Sequence, residues 1–204
     1  MRVVVLASGR GSNLRALCRA IEERACAVAL AGVVSDRDGA EALAFAEARG
    51  LATRVVRPRD HEERAAWDHA LVQAVSSFEP ELVVLAGFMR LIGPAMLAAF
   101  EDRIVNVHPS LLPAFPGMHA PQQAIDAGVR VAGCTVHLVD AGVDTGRILA
   151  QGVVPVRPGD DAARLHARIQ PLAHRHLPRV VVALARGTLD ALEPVFEQGE
   201  DPSP

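Results

Sequence analysis

The chain has 204 residues, 50% of them hydrophobic, and its formal net charge is −3 at pH 7. This length is sufficient for one domain with a single core, and the composition excludes intrinsic disorder. The charge balance excludes the strongly basic surface of a general nucleic-acid-binding protein, and the longest apolar runs are too short to span a bilayer. We therefore expect a cytoplasmic protein with small-molecule partners, no nucleic-acid or membrane partner, and a monomeric or weakly homodimeric state.

The basic residues and the cysteines limit the chemistry that is possible. All 21 basic residues are arginine and none is lysine. A Schiff-base lysine, a pyridoxal-phosphate lysine and a Walker-type phosphate lysine are therefore excluded. The three cysteines, Cys18, Cys26 and Cys134, have no C-x-x-C spacing and lie in apolar surroundings. This pattern favours reduced core thiols over disulfides or a metal site.

The first half of the chain alternates short apolar runs with helical patterns. Strands are predicted at Val3–Ala7, Val28–Ser35, Ala52–Val56 and Leu82–Ala86, and helices at Ser12–Arg24, Ala40–Arg49 and Asp60–Ser77. We expect Ser12 to cap the first helix and Gly50 to end the second. Alternating strands and helices with continuously apolar strands predict a single α/β domain. Its mostly parallel, Rossmann-like twisted sheet should have helices on both faces.

The second half of the chain changes pattern after a fifth strand that ends at His108. The elements predicted there are a helix at His119–Ala127, strands at Val131–Leu138 and Gly146–Pro155, and a long helix at Asp161–Arg186. We expect the last two strands to pair antiparallel, and Pro171 and Pro178 to kink the helix. The domain should comprise residues 1–197, followed by a flexible tail at 198–204.

The stretch from Asn106 to Gly117 is the most informative in the chain. An apolar run ends at His108, and three prolines follow within a few residues. Each proline fixes φ and lacks an N–H, so the strand must give way to a rigid loop. Asn106 and His108 are two residues apart and therefore lie on the same face of the strand. Because ligands bind at the carboxyl ends of parallel strands, this amide and imidazole pair is typical of a site that stabilises an oxyanion.

The segment from Ser8 to Asn13 joins the first predicted strand to the first predicted helix. Its glycines allow a ligand to approach the backbone, and the helix N-terminus presents free N–H groups, which suits a monophosphate on a small ligand. The spacing is neither that of the dinucleotide fingerprint nor that of a Walker loop. A tight turn without any ligand explains the same residues, so this motif alone leaves both interpretations open.

Two further segments contain candidate residues. Asp140 and Asp144 lie between Val139 and Gly146, where they are either ordinary turn formers or a calcium loop, although the EF-hand spacing is missing. If this loop folds over the end of the fifth strand, Asp144 approaches His108 and favours its protonated form. The segment Leu85–Ile92 forms either a groove for a flat ring or plain core.

The remaining histidines lack the spacing of known metal motifs. We interpret four of them as scattered structural or surface side chains: His119, His137, His174 and His176. His61 and His69 belong to a polar helix face and should be solvated. We therefore expect no bound metal.

Four motifs, in order along the chain, show a resemblance to a known family. They are Ala7–Leu14 (ASGRGSNL), Leu85–Arg90 (LAGFMR), Asn106–Pro113 (NVHPSLLP) and Gly133–Gly146, which ends in Val-Asp-Thr-Gly. On these motifs the chain resembles the phosphoribosylglycinamide formyltransferases, the folate-dependent enzymes of purine synthesis also called GAR transformylases. The third motif with the later aspartate is typical of the wider formyltransferase superfamily, and the early Gly-Ser-Asn loop is specific to the glycinamide ribonucleotide enzymes.

The resemblance implies a reaction and a role for each candidate residue. The amine of glycinamide ribonucleotide attacks the formyl carbon of the co-substrate 10-formyltetrahydrofolate, which gives a tetrahedral intermediate. Tetrahydrofolate is then released from this intermediate. Asn106 would donate to the oxyanion, protonated His108 would stabilise it and act as the acid, and Asp144 would keep His108 charged and help move a proton through a water. The residues implied to bind the ribonucleotide are Gly11, Ser12, Asn13, Gly87, Met89 and Gln170. Those implied to bind the folate are Arg64, Met89, Arg90, Leu91, Ile92, Val139, Asp140 and Asp144.

The last helix departs from the family at one position. The family usually has a Glu there that binds polar groups of the ribonucleotide, and the matching residue of this chain is Ala173. The neighbouring Pro171, Leu172 and His174 are also unusual. We still expect activity, because a missing partner at a partly wet site costs about 1 kcal/mol.

Three other functions share part of this pattern. A 10-formyltetrahydrofolate hydrolase uses water in place of the amine and has an N-terminal regulatory domain, which we do not expect before a strand that begins this early. Methionyl-tRNA formyltransferase needs a C-terminal tRNA-binding extension, which we do not expect either. A non-catalytic nucleotide-binding module does not need an Asn–His–Asp set and is therefore disfavoured.

Overall fold

The computed structural model describes residues 1–24 and 26–189. Within these residues the strands are β1 (Arg2–Leu6), β2 (Ala29–Ser35), β3 (Thr53–Val55), β4 (Leu82–Leu85), β5 (Ile104–His108), β6 (Val131–Leu138) and β7 (Ile148–Pro155). The α-helices are α1 (Ser12–Arg24), α2 (Glu41–Glu47), α3 (Arg64–Ser76), α4 (Pro94–Ala99), α5 (Ala120–Asp126) and α6 (Ala162–Arg186). The tail expected at 198–204 lies outside the described residues.

The strands form one seven-stranded sheet in the order β3-β2-β1-β4-β5-β6-β7. All pairs from β3 to β5 are parallel. β6 is antiparallel to both β5 and β7, so the antiparallel part includes one more pairing than the predicted C-terminal strand pair. The predicted α/β fold with a mostly parallel sheet is confirmed.

Both faces of the sheet are covered, which explains why its strands are continuously apolar. In β1, Val3 and Val5 point to a core cluster that includes residues of α1, α2 and α6. Val4 and Leu6 point to the opposite cluster, which includes residues of α3 and α4. The alternation of side chains along the strand therefore places one core on each side of the sheet.

Several element boundaries differ from the predictions. The helix predicted from Asp60 begins at Arg64, because Pro58–Asp60 forms a separate 3-10 turn. The helix α4 was not predicted, since its six residues are too few to show a helical period. The prediction that Ser12 caps α1 is wrong. Ser12 is the first helical residue, and the carbonyl of Gly11 accepts the first helical hydrogen bond from Arg15 N at 2.9 Å.

The last helix begins after an aspartate cap. The side chain of Asp161 accepts a hydrogen bond from Arg164 N at 2.8 Å, and α6 continues past Pro171 and Pro178 to Arg186. The helix thus has the predicted length with both prolines inside it. No helix among the described residues is long and apolar enough to cross a membrane.

All three cysteines are free thiols, as predicted. Cys18 and Cys134 are buried, and burial raises the pKa of Cys134 to about 12. Cys18 and Cys134 are therefore core residues, and because burial raises the pKa of both thiols they stay protonated at neutral pH.

Candidate active site

The strand β5 brings two polar side chains to the carboxyl edge of the parallel strands. Asn106 is paired in register with Leu85 of β4 on one side and with His137 of β6 on the other. His108 is the last residue of the strand, only 6% exposed, and is paired with Thr135. The alternation of the strand places the Asn106 and His108 side chains on the same face, as expected from their spacing.

His108 is held between two hydrogen-bond acceptors. Its Nδ1 lies 3.2 Å from Oδ2 of Asp144, and its Nε2 lies 2.9 Å from the carbonyl oxygen of Phe115. A neutral imidazole has one N–H and satisfies only one of these acceptors, whereas an imidazolium donates to both. The approach of Asp144 to His108 that was hypothesised from the sequence is therefore present in the fold.

Asp144 is the centre of a small hydrogen-bond network. Its Oδ2 accepts from Gly117 N at 2.8 Å, and its Oδ1 lies 3.5 Å from both Asn106 Nδ2 and His137 Nε2. The pKa of Asp144 is lowered to about 2. A hydrogen bond from His137 lowers this pKa most, while burial acts to raise it. The hydrogen bond from Gly117 N and the charge of His108 lower the pKa further. By distance, Gly117 N is the closest of these donors, and its contribution does not depend on any proton. Asp144 is therefore ionised at all physiological pH values.

His137 belongs to this site, although its sequence context predicted a scattered structural or surface histidine. It is 1% exposed, its Nδ1 lies 2.8 Å from Leu138 O, and its Nε2 lies 3.3 Å from Asn106 Nδ2. In the neutral ring, Nδ1–H donates to Leu138 and Nε2 accepts from Asn106, so His137 donates to Asp144 only when it is protonated. The available signal was its position in the predicted strand Val131–Leu138, but neither the antiparallel pairing of this strand with β5 nor its register was evident from the sequence.

A cavity of about 840 Å³ lies in front of these residues. Its lining includes Asn106, His108, His137 and Asp144 together with two other groups of residues. One group belongs to the loop after β4: Gly87, Phe88, Met89, Arg90, Leu91 and Ile92. The other belongs to the loop after β6: Val139, Asp140, Ala141, Gly142 and Val143. The cavity thus brings together the three residues predicted to be catalytic and every residue implied to bind folate except Arg64.

Arg64 is exposed and is not among the residues that line the cavity. Its guanidinium donates to the carbonyl oxygen of Leu91 and lies over the ring of Trp67, 4.7 Å from the ring centroid. Met89 and Leu91 are 61% and 64% exposed, so they form an apolar rim. Arg64 therefore supports the loop that lines the cavity.

Asp140 orders its own loop. Its Oδ1 accepts from Gly142 N at 3.1 Å and from the Thr145 hydroxyl at 2.7 Å. Of the two interpretations left open by the sequence, the turn-forming one is therefore present. Within the described part of the chain, no group of three or more His, Cys, Asp or Glu side chains is arranged to hold a metal.

The loop after β1 lies beside the loop after β4 and outside the lining of the large cavity. Ser8 N donates to Gly87 O at 3.1 Å, and Gln170 Nε2 donates to the Ser12 hydroxyl at 3.2 Å. Oδ1 of Asn13 is buried and has no hydrogen-bond partner in the described part of the chain. Gly11 has φ +73°, and a Cβ there would lie 2.9 Å from Cβ of Ala42, so packing alone requires this glycine. The loop therefore combines a structural turn with an unsatisfied polar group.

The sequence matches the Formyl transferase family over residues 1–181. It is 51% identical over 185 residues to a phosphoribosylglycinamide formyltransferase of Mycobacterium tuberculosis, which covers 90% of this chain and 85% of the relative. It is 41% identical over 183 residues to the Bacillus subtilis protein of the same name, which covers 90% of this chain and 94% of the relative. The crystal structure of glycinamide ribonucleotide transformylase 1 from Symbiobacterium toebii superimposes with a TM-score of 0.89 at 44% identity, covering 92% of this chain and 88% of that one. The chain belongs to the formyl transferase family and is a formyl-transferring enzyme.

Proposed function

We propose that this enzyme transfers the formyl group of 10-formyltetrahydrofolate to the amine of glycinamide ribonucleotide in purine biosynthesis. The names of the relatives from Mycobacterium tuberculosis and Bacillus subtilis support this acceptor, and their similarity extends over nine-tenths of the chain. The observation that carries the proposal is the convergence of Asn106, His108 and Asp144 at one end of the 840 Å³ cavity. The reaction takes place in the cytoplasm, and the protein acts as a monomer or a weak homodimer.

The amine attacks the formyl carbon, and the carbonyl oxygen becomes an oxyanion in a tetrahedral intermediate. The Asn106 amide and one N–H of His108 donate to this oxyanion. The two His108 nitrogens face Phe115 O and Asp144, so the substrate oxygen must share one of these donors. The polar groups are already held in position by the fold, which reduces the reorganisation needed in the reaction.

Proton transfer completes the reaction. The nitrogen of the attacking amine becomes an ammonium in the intermediate and loses a proton to Asp144 through a water, and N10 of the folate gains a proton from His108 as it leaves. The proton on Asp144 then returns to the neighbouring His108, which restores the starting protonation states. Asp144 is suited to this role because it is ionised and accepts hydrogen bonds from neighbouring donors. The amine nitrogen thus loses one proton and the leaving tetrahydrofolate gains one.

The two substrates occupy neighbouring regions. The pteridine ring and its formyl group enter the large cavity, whose apolar rim is formed by Met89 and Leu91. The ribonucleotide phosphate binds at Gly11, Ser12 and Asn13, where the N-terminus of α1 presents N–H groups. No acidic residue lies in the first turn of α1, so nothing there opposes a phosphate.

An assay with and without the amine substrate tests the function. Purified enzyme is mixed with 10-formyltetrahydrofolate, and tetrahydrofolate release is followed with glycinamide ribonucleotide present or absent. We expect release that depends on the ribonucleotide and is lost in His108→Ala, but retained in the exposed-site control His69→Ala. Amine-independent release would indicate a hydrolase, and release in neither case would indicate a non-catalytic binding protein.

A further inference from the structure

Asp36 is a buried carboxylate outside the catalytic set. It follows β2, the residue is 3% exposed, and its side chain is fully buried. Nε of Arg90 donates to its Oδ2 at 3.0 Å, and Nε of Arg37 lies 3.5 Å from its Oδ1. Burial acts to raise the pKa of Asp36, but hydrogen bonds from the Ser8 hydroxyl and Arg90 outweigh it and hold the pKa below its usual value. The protein therefore keeps a negative charge beneath the surface at this point.

Arg90 belongs to the wall of the large cavity, whereas Asp36 does not line it. The preceding part of this wall is fixed by Ser8, whose N donates to Gly87 O at 3.1 Å and whose hydroxyl accepts from Met89 N at 2.9 Å. The backbone contact between Ser8 N and Gly87 O does not involve the side chain at position 36.

The part of the wall from Arg90 to Ile92 has weaker support of its own. The side chains of Met89 and Leu91 are largely exposed, so apolar packing anchors the segment only at its end, where the partly buried Ile92 contacts a core cluster. Among the described residues, two polar side chains from other elements bind this segment: Arg64 donates to Leu91 O, and Asp36 accepts from Arg90. The Arg90 side chain is itself 45% exposed, so without Asp36 it would move into solvent.

We propose that Asp36 is a positioning residue for folate binding: its buried carboxylate fixes Arg90 and thereby the backbone of residues 90–92 that faces the cavity. The inference rests on the proposed function of this cavity as the folate site. It extends that function to a residue that touches neither substrate. Because the backbone N–H of Ser8 holds Gly87 without Asp36, loss of Asp36 should weaken folate binding and leave ribonucleotide binding nearly unchanged.

The experiment compares Asp36→Ala with Asp36→Asn and with Asp38→Ala. Asn keeps an oxygen that accepts from Arg90 but has no charge. Asp38 lies two residues further on, and its ion pair with Arg57 is solvent-exposed, which makes it a matched control. Binding of tetrahydrofolate is measured by titration calorimetry, KM is measured for both substrates, and melting temperatures report on folding.

We expect Asp36→Ala to weaken tetrahydrofolate binding about tenfold, comparable to one charge-assisted hydrogen bond. Asp36→Asn should have an intermediate effect, Asp38→Ala should have none, and the ribonucleotide KM should stay within about twofold. In Asp36→Ala/Arg90→Ala, binding should be no weaker than in Arg90→Ala, because the two residues act through one contact.

Three results would overturn the inference. Unchanged tetrahydrofolate binding in a folded Asp36→Ala protein would contradict the positioning role of Asp36 and leave the proposed function intact. If Asp36→Ala weakens the binding of both substrates equally and greatly lowers the melting temperature, Asp36 is only a structural residue. A wild-type protein that does not bind tetrahydrofolate removes both proposals. A wild-type protein that binds it without formylating the ribonucleotide removes only the proposed reaction, and the calorimetric comparison still decides the role of Asp36.

Discussion

His108 Nδ1 lies 3.2 Å from Oδ2 of Asp144, and the other ring nitrogen faces the carbonyl oxygen of Phe115. The two acceptors together match an imidazolium, which carries a proton on each nitrogen. The aspartate comes from the loop after β6 and the histidine from the end of β5, so the antiparallel pairing of these strands creates the contact. This pair is the basis of the first prediction.

Asp144→Asn should reduce kcat about a hundredfold or more, with much smaller effects on both KM values. The substitution keeps the shape of the side chain but removes its charge and turns an NH2 group or a weaker acceptor toward His108. Steady-state kinetics with both substrates gives the result. The matched control is Asp126→Asn, at an exposed residue of α5 whose partner is Gln122. Near-normal kcat in Asp144→Asn would refute the role assigned to this carboxylate.

His137→Gln should reduce kcat about tenfold, because Asn106 and Asp144 lose the ring that orients them. The KM values should change little, since the catalytic groups and not the outer cavity walls are disturbed. His69→Gln, at an exposed position on α3, is the control. If kcat in His137→Gln equals that of the control, His137 is only a core residue.

Asn13→Ala should raise the ribonucleotide KM about tenfold and leave the folate KM unchanged. The NH2 of Asn13 can donate to the phosphate, and its Oδ1, which has no partner among the described residues, can accept from a hydroxyl of the ribonucleotide. The measurement is KM for each substrate at saturating levels of the other. Gly11 is unsuitable for this test, since Gly11→Val would force a side chain against Ala42 at a positive φ and destabilise the fold. Equal changes in both KM values for Asn13→Ala would show that the loop is only a turn.

Ala173→Glu should lower the ribonucleotide KM severalfold. Position 173 lies three residues after Gln170 on α6, and residues at this spacing share a helix face. Gln170 contacts Ser12 in the loop proposed to bind phosphate. Because Ala173 is 8% exposed and packs in an apolar cluster, we also expect the melting temperature to fall by a few degrees. An unchanged or higher ribonucleotide KM would mean that position 173 does not face the substrate.

Acid should remove the stabilisation that Asp144 provides. Its pKa is lowered from 3.8 to about 2 in the fold, so the ionised form stabilises the folded state fully above about pH 4, and this contribution is lost as the pH falls toward 2. The free energy of unfolding of the wild type should therefore fall by about 1 kcal/mol more than that of Asp144→Asn between pH 5 and 2, after allowance for solvent screening. Chemical denaturation across this range measures the difference. Parallel pH profiles for the two proteins would contradict the assigned network.

The local sequence predicted the parts of the site that one element supplies. Asn106 and His108 share a strand, so their spacing alone places them on one face, and the prolines after them end the strand. The alternation of apolar strands with helices predicted the parallel sheet because both features follow from short-range periodicity. The short helix α4 was not predicted for the same reason, since six residues carry too little periodic signal.

The contacts between distant segments were decided only by the tertiary structure. His137 reaches Asn106 because β6 pairs with β5 in one particular register, and shifting that register by a single residue would turn its side chain to the other face. Aspartate is usually exposed, yet the close approach of the loops after β1, β2 and β4 buries Asp36 against Arg90 and Ser8. The sequence by itself determined which chemical groups are present and which strand ends they occupy. Packing of the sheet determined their distances and protonation, because both depend on neighbours that are remote along the chain.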